Sequence, residues 1–344
     1  TKQFIHENTA FVVNESIPFD AAAQLPEGLT QDDIRRFENL YKDHCLKLYD
    51  VITTLDFSSV EQIWLNFWSQ SGRDENLPMA IFHSICSLTH VQEFIRNVDY
   101  QLYQQLVERL IVDILSPMPT SATQSIRTFG KSVDGWLRTS LGHLPDRLKT
   151  IKLTIINAFA MTLRRYTSLN HLAQAARAVL LNSTQVNQML ADLNKVDFHN
   201  VQEQAWWICE CDDSLVVRIE REFKHHLSNQ SSLEDWAQWL DVLLNDLLKP
   251  YANLSAEKYT KQAKQILLNW SFYWSMVIRD LTLRSAASFG SFHLIRLLYD
   301  EYLFYLIEHK IAQHTQKTPI AVMAEVGRAA FSLFNIHSLR FLFS

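Results

Sequence analysis

The sequence predicts an all-α fold, a non-repeating multi-helix bundle of ten or more helices with no significant sheet. Three observations predict it. The 344 residues include only 7 Gly and 8 Pro, too few turn formers for a sandwich, a barrel or a glycine-rich nucleotide-binding sheet. Apolar side chains recur at three- and four-residue spacing, and no period-two stretch of useful length competes with them. Helix-start signatures stand in front of several of these stretches. With 47% hydrophobic residues, 9 Trp and 20 Phe, the chain can bury a large core and is not a disordered tail.

Residues 1–24 are the least regular, and Leu25-Pro-Glu-Gly28 reads as a turn into a helix. Thr30 with Asp33 is a capping box opening Ile34, Phe37, Leu40, Tyr41 and Leu48. Ser58 or Ser59 restarts the pattern with Ile63, Trp64, Phe67 and Trp68 on one stripe. Arg73 to Pro78 reads as a loop, and Met79 to Leu88 and Val91 to Leu115 as two helices flanking the regions around it. Ser116-Pro-Met-Pro119 is the clearest break, because neither proline fits a helix interior. Pro145 fits a helix start, and Leu148, Ile151, Ile155, Phe159 and Leu163 follow it. Asn200 with Glu203 and Ser232 with Asp235 are further capping signatures. The second opens Trp236, Trp239, Leu240, Leu243 and Leu247, which stop at Pro250. A last apolar block runs from Ala256 to about Ala312. These breaks predict a 25–116 helical region, a 117–325 helical region and a 326–344 tail of unknown role.

Composition also narrows the function. The net charge is −5 and the isoelectric point about 6.2, without the overall basic footprint of an autonomous DNA-binding domain. Charge is uneven. Residues 125–165 carry eight Lys/Arg against two acids (+6), and residues 192–246 carry twelve acids against four Lys/Arg (−8). The most apolar stretch, Ile266 to Leu283, contains Asn269, Arg279 and Asp280, so no membrane span is expected. Thr1 has no signal-peptide pattern behind it, and the missing initiator Met suggests a fragment of a longer protein. Four cysteines are too few to staple a chain of this length and fit a reducing compartment.

No enzyme chemistry is legible. Phe129-Gly-Lys-Ser132 resembles the end of a phosphate-binding loop, but Ser125 stands where that loop needs glycine and no strand precedes it. Cys209 and Cys211, two apart on a helix, point away from each other and cannot share one ion; His225 and His226 diverge likewise. No catalytic, cofactor-binding or metal-binding residue is assigned, and no small-molecule ligand is expected. The 263–311 block does stand out. Its apolar residues cover almost the whole circumference of their helices, the pattern of a deep core or of a helix buried on a second side by a partner.

Several strings resemble the regulatory factor X (RFX) transcription factors. They include Thr162-Leu-Arg-Arg-Tyr-Thr-Ser-Leu-Asn-His171 through Leu180, Val196-Asp-Phe198, Asn200-Val-Gln-Glu-Gln204 and Cys209-Glu-Cys-Asp-Asp213. The strongest is Ser275-Met-Val-Ile-Arg-Asp-Leu-Thr-Leu-Arg-Ser-Ala-Ala-Ser-Phe-Gly-Ser-Phe-His293 through Glu301. Leu25-Pro-Glu-Gly28, Leu40-Tyr-Lys-Asp-His-Cys45, Ser121-Ala-Thr-Gln-Ser-Ile-Arg127 and Gly135-Trp-Leu137 agree. The resemblance runs from about residue 25 to 325. It implies the region C-terminal to a winged-helix DNA-binding domain, itself absent from this chain, and ending in a dimerisation domain. Members bind X-box inverted repeats in promoters, ciliary ones among them, as homodimers or as heterodimers with relatives, so a nuclear protein is expected. On that implication the dimer contacts are expected at Trp270, Tyr273, Trp274, Val277, Ile278, Leu281, Phe289, Phe292, Leu298, Tyr302 and Tyr305. A weak direct DNA contact is expected at Arg127, Lys131 and Arg138. The alternative is a monomeric helical scaffold that recruits transcriptional cofactors.

Overall fold

The computed structural model describes residues 11–13, 15–18, 25–69, 77–142, 144–209 and 213–325, and the side chains of all of these except 205–209 and 213. Among them no strand occurs. The α-helices are α1 (Gln31–Thr53), α2 (Val60–Trp68), α3 (Met79–Ser87), α4 (Thr89–Leu110), α5 (Thr120–Ser140), α6 (Asp146–Leu180), α7 (Ser183–Leu193), α8 (Phe198–Cys209), α9 (Asp213–Ser228), α10 (Leu233–Leu248), α11 (Ala256–Leu283) and α12 (Phe289–Thr315). Residues 319–325 are again helical. The fold is all-α, as its scarce turn formers and apolar periodicity predict.

Local chemistry sets many of the helix starts. Thr30 accepts from Asp33 N while Asp33 accepts from Thr30 N, a closed capping box; Ser232 and Asp235 repeat it at α10. Other starts differ from the sequence reading. Ser58 and Ser59 both donate to Asp56, so the turn before α2 is built on an aspartate. α8 begins before Asn200, whose N–H is capped by Asp197 Oδ1 at 3.2 Å. α4 ends at Leu110, not Leu115. The carbonyls of Ile114, Leu115 and Ser116 accept instead from Asn170, Gln174 and Arg177 of α6 at 2.7–3.0 Å. Those long-range partners hold the chain off the helical path just ahead of Pro117. The Arg73 to Pro78 loop, the Cys209/Cys211 reading and the 326–344 tail lie wholly or largely outside the described residues.

The chain divides into two compact units made from discontinuous stretches, which cut across the 116/117 boundary expected from the prolines. The first draws its described residues from Thr1–Val112, Pro119–Arg165 and the segment beginning at Ile320. α1 packs on α2, α3 and α4, and α2 packs on α5. Its core holds Phe37, Tyr41, Trp64, Phe82, Phe94, Tyr103, Phe129 and Phe159. At its centre sits a charged group. Lys152 and Asp99 are each 1% exposed with Nζ 2.8 Å from Asp99 Oδ2. That approach is an ion contact and not an aligned hydrogen bond, since Oδ2 accepts none. Tyr41 OH donates to Asp99 Oδ1, Lys152 donates to Tyr41 OH at 3.0 Å, and the ammonium lies 5.1 Å from the centre of the Trp68 ring. Ile320, Val322 and Met323 are buried in this unit, with Ile320 N donating to Gln104 Oε1 at 3.1 Å.

The second unit comprises Asp113–Met118 and Tyr166–Pro319. Helices α11 and α12 form an antiparallel pair; α7, α10 and α11 pack on α12, while α8 lies along α11. Phe223, Trp236, Trp239, Trp270, Trp274, Phe292 and Tyr299 fill its core, with Phe223 in ring contact with Trp236, Trp274 and Phe292.

Candidate functional site

The long apolar block becomes α11 and α12, so the question is which of its arcs the unit covers by itself. Of the residues expected at a dimer interface, Trp270, Tyr273, Trp274, Val277, Ile278, Leu281, Phe292 and Leu298 are all buried in the core of the second unit. Phe289 is 37% exposed, and Tyr302 and Tyr305 are half-buried, stacked on each other at 5.8 Å.

The arc of α11 opposite the core runs through Lys261, Gln265, Leu268, Phe272, Ser275, Arg279 and Leu283, at helical spacing. Its ends are exposed, Leu283 by 74%; Leu268, Phe272 and Ser275 in the middle are half-buried. The matching arc of α12 carries Phe289, His293, Leu297 and Phe304, the last three half-buried. The arcs meet where Arg296 donates to Ser275 Oγ at 2.8 Å. These two arcs carry the half-buried Leu268, Phe272, Leu297 and Phe304 and the exposed Leu283 and Phe289, large apolar residues of the kind that line protein interfaces. Phe272 and Leu297 belong to the apolar block read from the sequence but are not among the contacts singled out from it, and Leu268 is not named there. Charged and amide residues at the ends of the α11 arc mark it as the surface side, and that signal was available.

Two features fix the shape of this face. Asp192 of α7 ties down the turn between α11 and α12, accepting from Ser288 N at 3.1 Å and Ser288 Oγ at 2.7 Å. Burial pushes its carboxyl up, but the hydrogen bonds from Ser288 and the nearby Lys195 outweigh this and hold it at about 2. Ser285 supplies the left-handed residue of the turn, with φ 48°. The second feature is a polar pair at the edge of the face, where α12 meets α11. Arg296 Nε stands 3.5 Å from Asp300 Oδ2, with side chains 13% and 15% exposed. Arg296 Nε and Asp300 Oδ1 are sealed from solvent without a hydrogen-bond partner. Burial raises the Asp300 carboxyl to about 7; Arg296 opposes that shift and Glu301 adds to it.

Arg127, Lys131 and Arg138 lie on one face of α5 in the first unit, four and seven residues apart. Lys131 and Arg138 are exposed and Arg127 is half-buried. Phe129-Gly-Lys-Ser132 is inside α5, not in a loop. A Cβ on Gly130 would stand 3.4 Å from Ala160 O and 3.6 Å from Leu163 Cβ, in ordinary contact with α6. Among the described residues no cluster of three or more His, Cys, Asp or Glu is placed to hold a metal ion. No helix of the described residues is long and apolar enough to cross a membrane. Cys45 and Cys86 are buried and form no disulfide.

Residues 37–314 match the family model described as RFX BCD domain. The chain is 52% identical over 322 residues to "Transcription factor RFX3" of Homo sapiens, covering 89% of this chain and 43% of that protein. It is 53% identical over 322 residues to "DNA-binding protein RFX2" of Rattus norvegicus, covering 89% and 46%. With the Danio rerio protein of the same name it shares 51% over 319 residues, covering 88% and 43%. The chain thus spans less than half the length of the curated relatives it matches. No solved structure matches it.

Proposed function

The chain belongs to the RFX transcription factor family, and from that premise we propose that it is the dimerisation and regulatory region of a nuclear, sequence-specific transcription factor. Two copies join through the outer face of α11 and α12. They hold two winged-helix domains, which lie outside these residues, over the halves of an X-box inverted repeat. The observation that supports this reading is the apolar arc through Leu268, Phe272, Leu283, Phe289 and Leu297, which the second unit leaves uncovered or half-covered. The mechanism is physical. A two-fold dimer matches the symmetry of the repeat. Once one DNA-reading domain binds, its twin sees the other half-site at an effective concentration on the order of millimolar. Relatives that keep the same face are the heterodimer partners. The relatives' names are those of transcription and DNA-binding proteins, and the chain has no enzymatic role in this reading.

Substituting Phe272→Asp together with Leu297→Asp tests it. Sedimentation is expected to shift from dimer to monomer while the helical circular dichroism stays unchanged. A wild-type chain that sediments as a monomer at every concentration would favour the cofactor-recruiting scaffold. The basic face of α5 supplies a second, weaker contact with the DNA backbone.

A further inference from the structure

The Arg296–Asp300 pair is poorly made for a single chain. Burying two charges is unfavourable unless good geometry and further hydrogen bonds compensate. Here the closest approach is 3.5 Å. Arg296 makes one hydrogen bond, to Ser275 Oγ, and the Ser275 hydroxyl is itself committed to the carbonyl of Ser271 at 2.7 Å. The indole of Trp270 assists the carboxylate at too long a range for a formed hydrogen bond. Among the described residues Asp300 Oδ2 and Arg296 Nη1 have no hydrogen-bond partner, yet neither is sealed from solvent. One acceptor and one donor therefore remain without a hydrogen bond one helical turn apart, at the α11-facing edge of the α12 arc.

That arrangement is self-complementary. In an isologous contact, residue i of one copy meets residue j of the other and j meets i. The α12 arc has this order about Leu297: Arg296 precedes Asp300, His293 precedes Glu301, and Phe289 and Phe304 close the two ends. An antiparallel crossing of α12 with its two-fold mate, centred near Leu297, places two base–acid pairs and one aromatic pair face to face, each repeated by the axis. We propose that Arg296 and Asp300 are the partner-selecting residues of the interface, each pairing with the other across the two-fold axis. The occupant of the face is a second copy of this chain. A partner lacking either charge leaves a desolvated, unpaired ion and is refused. The inference rests on the dimer reading above and adds the contacts that specify it.

A charge-swap experiment on the whole chain separates the two. Arg296→Asp gives a chain with two acids at these positions, and Asp300→Arg one with two bases. Each alone is expected to lose self-association by at least about a hundredfold, because like charges face each other across the axis. Mixed in equal amounts, the two are expected to form a heterodimer within about tenfold of wild-type affinity, since both cross-axis pairs are restored. The double variant Arg296→Asp with Asp300→Arg is expected to self-associate like wild type. Circular dichroism checks that each variant is helical, and Arg296→Gln with Asp300→Asn replaces any that is not; each of these is expected to weaken self-association. A role inside one chain predicts no rescue on mixing. Wild-type dimers with variants that dimerise equally well, or that are not rescued by mixing, overturn the pairing alone. A monomeric wild type overturns the dimer reading with it.

Discussion

The two units each bury an acid–base pair, and the pairs are not alike. In the first unit Lys152 and Asp99 are 2.8 Å apart. Tyr41 bridges them and the Trp68 ring lies under the ammonium. In the second, Arg296 and Asp300 stand 3.5 Å apart, and both partners, not the carboxylate alone as at Asp99, keep a sealed atom without a hydrogen bond. The first pair is enclosed among the aromatic rings of a core and links α1, α4 and α6. The second lies between α12 and α11 at the margin of the outward arc, with side chains 13% and 15% exposed. A well-made buried pair holds helices in register, and a poorly made one on an apolar face is a site waiting for its complement.

The contrast predicts unequal responses to mutation. Lys152→Met leaves Asp99 buried without its base and is expected to destabilise the fold by about 3–5 kcal/mol, read from urea unfolding. The environment it leaves behind is unforgiving: burial and then the Asp99 charge hold the Tyr41 hydroxyl well above its usual range, and burial holds the neighbouring His44 imidazole well below its own. A loss under about 1 kcal/mol would put the two pairs in the same class.

Asp300→Asn is expected to act through pH. The Asp300 carboxyl is raised by burial from 3.8 to about 7, so the folded state holds its proton more tightly than the unfolded chain does. Stability from this group is full below about pH 4 and is lost as pH rises through about 7. In the monomeric Phe272→Asp/Leu297→Asp background, the urea midpoint should fall over that window with Asp300 in place. With Asn it should fall less. Equal slopes would contradict the assignment.

The capping boxes give an internal standard, one in each unit. Thr30→Ala and Ser232→Ala are each expected to cost about 1 kcal/mol. A large inequality would mean that the units differ in more than their buried pairs. The smallest effect concerns α5. Arg127→Ala, Lys131→Ala and Arg138→Ala together should leave folding unchanged and lower the chain's low-salt affinity for duplex DNA, with a shallower salt dependence. An unchanged affinity, or none to begin with, removes that contact.

How much of this the sequence revealed follows from the range of the interactions. The Thr30/Asp33 and Ser232/Asp235 boxes are local, and both were legible. The end of α4 was not, because Asn170, Gln174 and Arg177 capture its following carbonyls from more than fifty residues away. Helices α11 and α12 were legible as elements, yet their apolar residues lie on both arcs. Trp270, Trp274 and Leu281 looked like contacts because they are large and apolar; the unit's own aromatic core claims them. Only the flanking Lys261, Gln265 and Arg279 distinguish the outer arc. The base–acid order about Leu297 has meaning only when that arc is known to face outward.

The most direct test is the mass of the wild-type chain by light scattering through a dilution series. A mass of about 80 kDa, twice the 40.1 kDa chain, is expected to persist to about nanomolar concentration. A mass of about 40 kDa at every concentration would contradict the dimer reading.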